Sequence, residues 1–174
     1  MKKFKKFLFK KVNSTNDIAI KKIKSGLSSG IIVSELQTRG RGQYGRKWIS
    51  FKGNLFMSIF FKIKKNITIK KITDLNVKII QLSLIKIIKK KIFIKYPNDF
   101  LLNKKKFCGI LQETYYSKGS KFLVIGIGIN LVNNPKITNY PTTNIYNETG
   151  LLIKKKYLIQ NIENIYIKKQ KLFA

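Results

Sequence analysis

The chain has 174 residues, 44% of them apolar and 12% aromatic, which is enough for one domain with its own hydrophobic core. It has no histidine and one cysteine, Cys108, so a Ser-His-Asp or Cys-His catalyst and an internal disulfide are excluded, and a zinc site is not supported. The net charge of +30 first suggests nucleic acid, but 34 of the 37 basic residues are lysine; with isoleucine and asparagine, lysine supplies 78 of 174 residues, all with AT-rich codons, so the excess reads as composition.

In chain order, Ser14 reads as the cap of a helix that runs to about Ser25 and is stopped by Gly26. Ile31–Leu36 reads as a strand, residues 37–47 as a basic glycine-rich loop, and Asn54–Ile63 as a second strand. Asp74–Lys90 is the strongest amphipathic helix, with Leu75, Ile79, Leu82, Ile85 and Ile88 at helical spacing. Ile92–Tyr96 is a strand ended by Pro97. Residues 103–106 form a turn, and Phe107–Tyr116 and Phe122–Leu131 form a hairpin through Lys118-Gly119-Ser120. A short helical signal near Thr143–Thr149 and a final helix from Lys155 to about Leu172 close the chain. This order predicts an α+β fold with a mainly antiparallel sheet. The longest apolar runs are broken by lysine, so no transmembrane helix is expected.

The three arginines, Arg39, Arg41 and Arg46, all lie within eight residues of the glycine-rich loop. In a chain that otherwise uses lysine, this clustering marks the loop as a place for planar, multidentate recognition of carboxylate or phosphate. The loop lacks the P-loop pattern, and no helix follows it as a dinucleotide fingerprint requires. Its glycines could still turn successive N–H groups toward an anion, or it could be a flexible RNA-binding linker. Pro97-Asn98-Asp99 presents polar groups at a strand end or forms an ordinary turn. Lys106 opens a strand three residues before Gly109, which leaves room for a ligand or for a close backbone. Gly126 and Gly128 flank Ile127 just before Asn130, a pattern that suits a close approach or a bulge.

Five motifs stand in a specific order: Ser14-Thr15-Asn16; Gln37 with Gly40-Arg41-Gly42, Gly45-Arg46, Trp48 and Ser50; Pro97-Asn98-Asp99; Lys106 with Gly109-Ile110-Leu111; and Gly126-x-Gly128-Ile129-Asn130-Leu131. This set resembles the catalytic domain of biotin–protein ligases over roughly residues 8–172. The resemblance implies a mixed, mainly antiparallel sheet flanked by helices, akin to lipoate ligases and class II aminoacyl-tRNA synthetases. It implies activation of biotin by MgATP to biotinyl-5′-AMP and transfer to a lysine of a biotin carboxyl carrier protein, that of acetyl-CoA carboxylase.

By the same resemblance, Ser14, Thr15, Asn16, Gln37, Gly40, Arg41, Gly42, Gln43, Lys106, Gly109, Gly126 and Gly128 are the biotin-site residues. Lys106, Arg41 and Asp99 are catalytic, with Asp99 also placed for magnesium. Arg46, Trp48, Asn98 and Asn130 lie on the ATP side. Lys106 ranks first, because a fixed cation lets the biotin carboxylate approach an anionic α-phosphate.

The sequence departs from the family pattern at Gln43, where a second loop arginine is frequent, at Tyr96 before Pro97, and at Phe51 after Ser50. The expected organisation is a single catalytic domain over residues 1–174, with neither the DNA-binding domain nor the small C-terminal barrel of many relatives. The expected state is a cytoplasmic monomer or weak homodimer with no membrane and no specific nucleic-acid partner. The competing readings are a lipoate-type ligase or acyltransferase on the same fold, disfavoured by the missing histidine, and a basic nucleic-acid-binding module.

Overall fold

A computed structural model describes residues 3–173; residues 1, 2 and 174 lie outside it. Seven strands, β1 (Lys6–Phe9), β2 (Ser29–Ser34), β3 (Leu55–Ile63), β4 (Phe93–Lys95), β5 (Asp99–Leu102), β6 (Lys105–Ser117) and β7 (Ser120–Ile129), form one sheet. Its order is β1-β2-β3-β7-β6-β5-β4, with β1 parallel to β2 and every other pair antiparallel. The helices are α1 (Thr15–Lys24), α2 (Ile69–Ile88), α3 (Ile145–Thr149) and α4 (Lys155–Lys169). The mixed, mainly antiparallel sheet expected from the sequence is present. The edge strand β1 and the short strand β5 were not foreseen. No helix among the described residues is long and apolar enough to cross a membrane.

The sheet works by strand alternation. Along β3, Leu55, Met57, Ile59, Phe61 and Ile63 enter the large core closed by α2 and α4, while Phe60 packs on the other face with Ala19 and Ile23 of α1. The α2 helix starts at Ile69, earlier than expected, because the Thr68 side chain caps it by accepting from the Lys71 N–H at 3.2 Å. Its buried face runs through Ile72, Ile79, Ile80, Leu84 and Ile88, whereas Ile85, expected inward, is 45% exposed. Three polar residues, Thr73, Asn76 and Ser83, are buried with that face. Asn76 accepts from the buried Tyr166 hydroxyl at 2.9 Å, and the Ser83 hydroxyl donates to its own helix at Ile79. Burial pushes the Tyr166 hydroxyl pKa upward.

The two ends of the described chain meet on the core side. Phe4 and Phe173 both pack against Phe61, with ring centroids 6.2 and 5.3 Å away. Lys6 on β1 is ion-paired with Glu163 of α4, whose side chain is fully buried, and Lys6 also reaches Gln160 at 3.5 Å.

Two local devices set up the site. Asn54, fully buried, accepts through Oδ1 from the N–H groups of Leu131, Val132 and Asn133 at 3.0–3.2 Å, and so holds the chain as it leaves β7. The second device is a bulge between β5 and β6: Phe100 pairs with Cys108, but Leu101 pairs with Lys106, leaving Phe107 as an extra residue. Phe107 and Cys108 therefore both enter the core, and Lys106 is turned to the opposite face. Without the extra residue, alternation would send Lys106 the same way as Cys108 and Ile110.

Candidate active site

The face away from α2 and α4 carries a cleft between α1, the glycine-rich loop, the β5 turn and the strands β6 and β7. Ser14, Thr15, Asn16, Gln37, Arg41, Gly42, Gln43, Arg46, Trp48, Asn98, Asp99, Lys106, Gly109, Gly126 and Gly128 all line it. Of the residues given a biotin-site, catalytic or ATP-side role, Gly40 and Asn130 do not. The Gly40 carbonyl instead accepts from the Trp48 N–H at 2.9 Å, and a Cβ there would lie 2.4 Å from the Trp48 carbonyl. Asn130 is buried behind the cleft, donating to the Thr143 carbonyl at 3.1 Å, and it lines a smaller adjoining pocket with Trp48 and Tyr140.

The floor of the cleft is polar. Ser14 stands at the N-cap position of α1, yet its side chain makes no capping bond, contrary to the sequence expectation; it is buried and faces the cleft. Gln37 Oε1 accepts from the Thr15 N–H at 2.8 Å and from the Thr15 hydroxyl at 3.1 Å. The Ser58 hydroxyl lies 2.7 Å from Thr15 Oγ1 and 2.5 Å from Asn16 Oδ1, with one proton to share between them. Asn16 Nδ2 donates to Glu113 Oε2 at 2.6 Å. The floor is therefore rich in acceptors and suits a planar ligand that brings N–H donors and a carbonyl.

The wall is built by close approach. A Cβ on Gly128 would lie 2.5 Å from the Trp48 ring, one on Gly109 would lie 2.8 Å from it, and one on Gly126 would lie 2.6 Å from Asn16 Oδ1. Gly109 and Gly128 thus make the slot that Trp48 fills, and Gly126 makes room for Asn16. The Trp48 indole Nε1 is buried with no hydrogen-bond partner among the described residues.

Lys106 Nζ is 2.7 Å from Asp99 Oδ1, and 5.5 and 5.4 Å from the ring centroids of Trp48 and Tyr140. Tyr140 was not foreseen. Asn98 donates to the Ile110 carbonyl at 3.1 Å and braces the Pro97-Asn98-Asp99 turn against β6. The Asp99 carboxylate faces Lys106, and among the described residues no group of three or more His, Cys, Asp or Glu could hold a metal; magnesium carried by a triphosphate needs only one or two carboxylates. Cys108, directly behind Lys106, is fully buried, and burial raises its thiol pKa despite the nearby lysine, so it stays protonated and inert.

The loop is a small hairpin closed by bonds between Gly40 and Trp48 and between Gly42 and Arg46. Arg41 reaches back from it as a fork: Nη1 and Nη2 each donate to one oxygen of Glu113 at 2.8 Å, and Nη2 also donates to Asp17 at 2.8 Å. Partial burial alone would lower the guanidinium pKa, but the bonds and charges of Glu113 and Asp17 hold it above its ordinary value. Glu113, Asp17 and Ser58 were missed in the sequence. The available signal was scarcity, since the chain has only seven carboxylates and three of them, Asp17, Asp99 and Glu113, stand at this cleft.

Comparison with known proteins agrees with this geometry. The family model described as the biotin/lipoate A/B protein ligase family matches residues 8–130. The bifunctional ligase/repressor BirA of Escherichia coli is 33% identical over 123 residues, covering 69% of this chain and 38% of that protein. The biotin–[acetyl-CoA-carboxylase] ligase of Paracoccus denitrificans is 29% identical over 159 residues, covering 80% of this chain and 62% of its own length. Among solved structures, the biotin protein ligase of Aquifex aeolicus in complex with biotin and ATP superposes with a TM-score of 0.79 at 28% identity, over 97% of this chain and 71% of that one. The chain thus spans about two fifths of the length of the Escherichia coli relative.

Proposed function

Because the chain belongs to the biotin/lipoate A/B protein ligase family, we propose that it activates biotin with ATP and passes the biotinyl group to a lysine of a carrier protein. The observation that carries this reading is the bulge at Phe107, which delivers Lys106 to the same cleft as the polar floor of Ser14, Thr15, Asn16 and Gln37. The floor would take the ureido ring, whose two N–H groups need acceptors such as Asn16 Oδ1 and whose carbonyl needs donors. The valeryl chain would run along the glycine and Trp48 wall toward Lys106.

In the first step a biotin carboxylate oxygen attacks the α-phosphorus of ATP, the bond to the β-phosphate breaks, and pyrophosphate leaves. Both reacting groups are anionic, and Lys106, held by Asp99, stabilises their approach. Arg46, at the rim of the cleft, would draw the leaving pyrophosphate, and Asn98 would support the nucleotide side. Mg²⁺ would arrive with the triphosphate, not on a carboxylate cage of this chain. In the second step the carrier amine, as its ammonium loses a proton, attacks the biotinyl carbonyl and AMP departs. We infer that the acceptor is a biotin carboxyl carrier protein and that the reaction takes place in the cytoplasm.

A lipoate-type substrate fits less well. Its dithiolane head carries neither N–H donors nor a carbonyl to match the polar floor of Thr15, Asn16 and Gln37. A nucleic-acid role loses its central residue, since Arg41 is engaged by two carboxylates.

The test is incubation with biotin, MgATP and a carrier domain, read as a mass gain of one biotinyl group on the carrier. Lys106→Gln should lower single-turnover pyrophosphate release about 100-fold, roughly 2.7 kcal/mol. Lys104→Gln and Lys105→Gln, exposed neighbours, should change it by less than tenfold. No mass gain on any carrier, or a Lys106→Gln rate equal to that of its neighbours, would refute the assignment.

A further inference from the structure

The seven carboxylates of a +30 chain are a scarce resource, and two of them are spent on a single arginine. Arg39, Arg41, Arg46 and Lys47 crowd positive charge into nine residues of loop, which favours an open loop unless something holds it. Arg41 binds both oxygens of Glu113 with the parallel geometry of a guanidinium–carboxylate fork, and its Nη2 also reaches Asp17 in the first turn of α1. The loop is thereby tied to β6 and α1 together. Glu113 then passes the contact inward to Asn16, which meets Ser58, which meets Thr15, which meets Gln37 at the root of the loop. The circuit leaves the loop at Arg41 and returns to its base at Gln37.

We infer that Arg41 is a positioning residue, locked by Glu113 and Asp17, whose task is to hold the glycine-rich loop over the head-group floor, and that Arg46 is the loop cation left to meet phosphate. This departs from the catalytic role the resemblance gives Arg41. To reach a phosphate, Arg41 would have to abandon two carboxylates. Arg46 has no carboxylate within ion-pairing distance among the described residues, and it lines the cleft. Because Glu113 touches both Arg41 and Asn16, filling the floor and closing the loop are coupled through one carboxylate. The coupling to biotin rests on the function proposed above; the lock itself does not.

Two measurements separate these claims. The first uses the ligand-free protein. Trypsin cleavage after Arg46 and Lys47 should rise about tenfold in Glu113→Gln and by a smaller factor in Asp17→Asn, variants that leave every tryptic site intact. Arg41→Lys, which keeps the charge but loses the fork, should open the loop as Glu113→Gln does. The second measurement uses biotin without ATP, read by the fluorescence of Trp48, the one tryptophan in the chain. Arg41→Gln and Glu113→Gln should each weaken biotin about tenfold, and the double variant should be no worse than either single one. Wild-type cleavage rates in Glu113→Gln, or additive losses in the double variant, would overturn the lock. So would a defect of Arg41→Gln confined to ATP, which would make Arg41 the phosphate ligand. If the wild-type protein fails to bind biotin at all, the proposed function falls, while the cleavage rates still decide the lock.

Discussion

Neighbouring residues of β3 serve two different chemistries. Ile59, pointing toward α2 and α4, is fully buried among aliphatic and aromatic side chains; Ser58, one residue earlier and equally buried, is a junction between Thr15 and Asn16. The same division continues across the sheet. On β7, Ile125 and Ile127 fill the core while Gly126 and Gly128 lie under Asn16 and Trp48. The core face gains stability from volume, and the cleft face gains specificity from its absence. A fold built on alternation can therefore optimise the two faces with separate residues, provided that no residue crosses over, and Lys106 crosses only because of the extra residue at Phe107.

The most disruptive way to test this division is on the core side. Ile59→Ala should cost about 2–5 kcal/mol of folding stability through lost transfer energy and the cavity left behind. Biotin affinity of the remaining folded protein should stay within about threefold of wild type. Chemical denaturation checks the first figure, and fluorescence titration below the melting temperature checks the second. A large affinity loss would mean that the two faces are mechanically coupled.

Gly126→Ala is the converse. The new Cβ would meet Asn16 Oδ1 at 2.6 Å, and Asn16 has little room to retreat because Ser58 and Glu113 hold it at both ends. Biotin affinity should fall about tenfold or more, near 1.4 kcal/mol, with a stability loss well under that of Ile59→Ala. Isothermal titration and thermal melts on the same preparation make the comparison, and an unchanged affinity would show that the glycine is not needed for clearance.

The smallest effect is a pH dependence at the joint between the faces. Glu148 on α3 accepts from the Thr143 hydroxyl at 2.7 Å and from Asn103, with Lys105 at 3.7 Å, and so braces the turn that precedes Lys106. Burial alone would raise its carboxyl pKa, but those hydrogen bonds and the charges of Lys105 and Lys90 outweigh burial and hold it below the usual carboxylate range. A depressed folded pKa stabilises fully above the unfolded value of about 4.3, and that contribution is lost as pH falls through the folded value. The stability gap between wild type and Glu148→Gln should therefore narrow from about pH 5 to pH 3. A gap that widens on acidification would reverse the sign of the shift.

These contrasts also mark what could be read from the residues alone. The helices, the β6–β7 hairpin and β3 carry strong local signals, in period, capping or turn chemistry, and nearly all the cleft residues came from motifs whose order is specific. What escaped depends on tertiary context. Strand β1 alternates exposed and half-buried residues within a lysine-rich stretch, so its pattern resembles its surroundings. The exposure of Ile85 was missed because isoleucine occurs on nearly every side of α2, and packing against the core decides which side is covered. The bulge leaves no trace in composition, although it sets the direction of Lys106. Glu113 sits within a strand where an exposed polar residue is unremarkable, and Asn54, which holds three backbone N–H groups at the end of β7, looks like a turn asparagine.

The meeting of β1 with α4 has a consequence for cooperativity. Lys6 and Gln160 are 154 residues apart, and closing so long a loop costs roughly 2 kcal/mol more chain entropy than closing a ten-residue one. The four-residue edge strand β1 gains a tie to α4, which buries Leu158, Ile162 and Tyr166 in the core. Five residues beyond the end of β1 the chain reaches Ser14, Thr15 and Asn16, in the floor of the cleft. Fraying of the last helix should therefore loosen the first strand, which matched hydrogen-exchange rates in β1 and α4 would show.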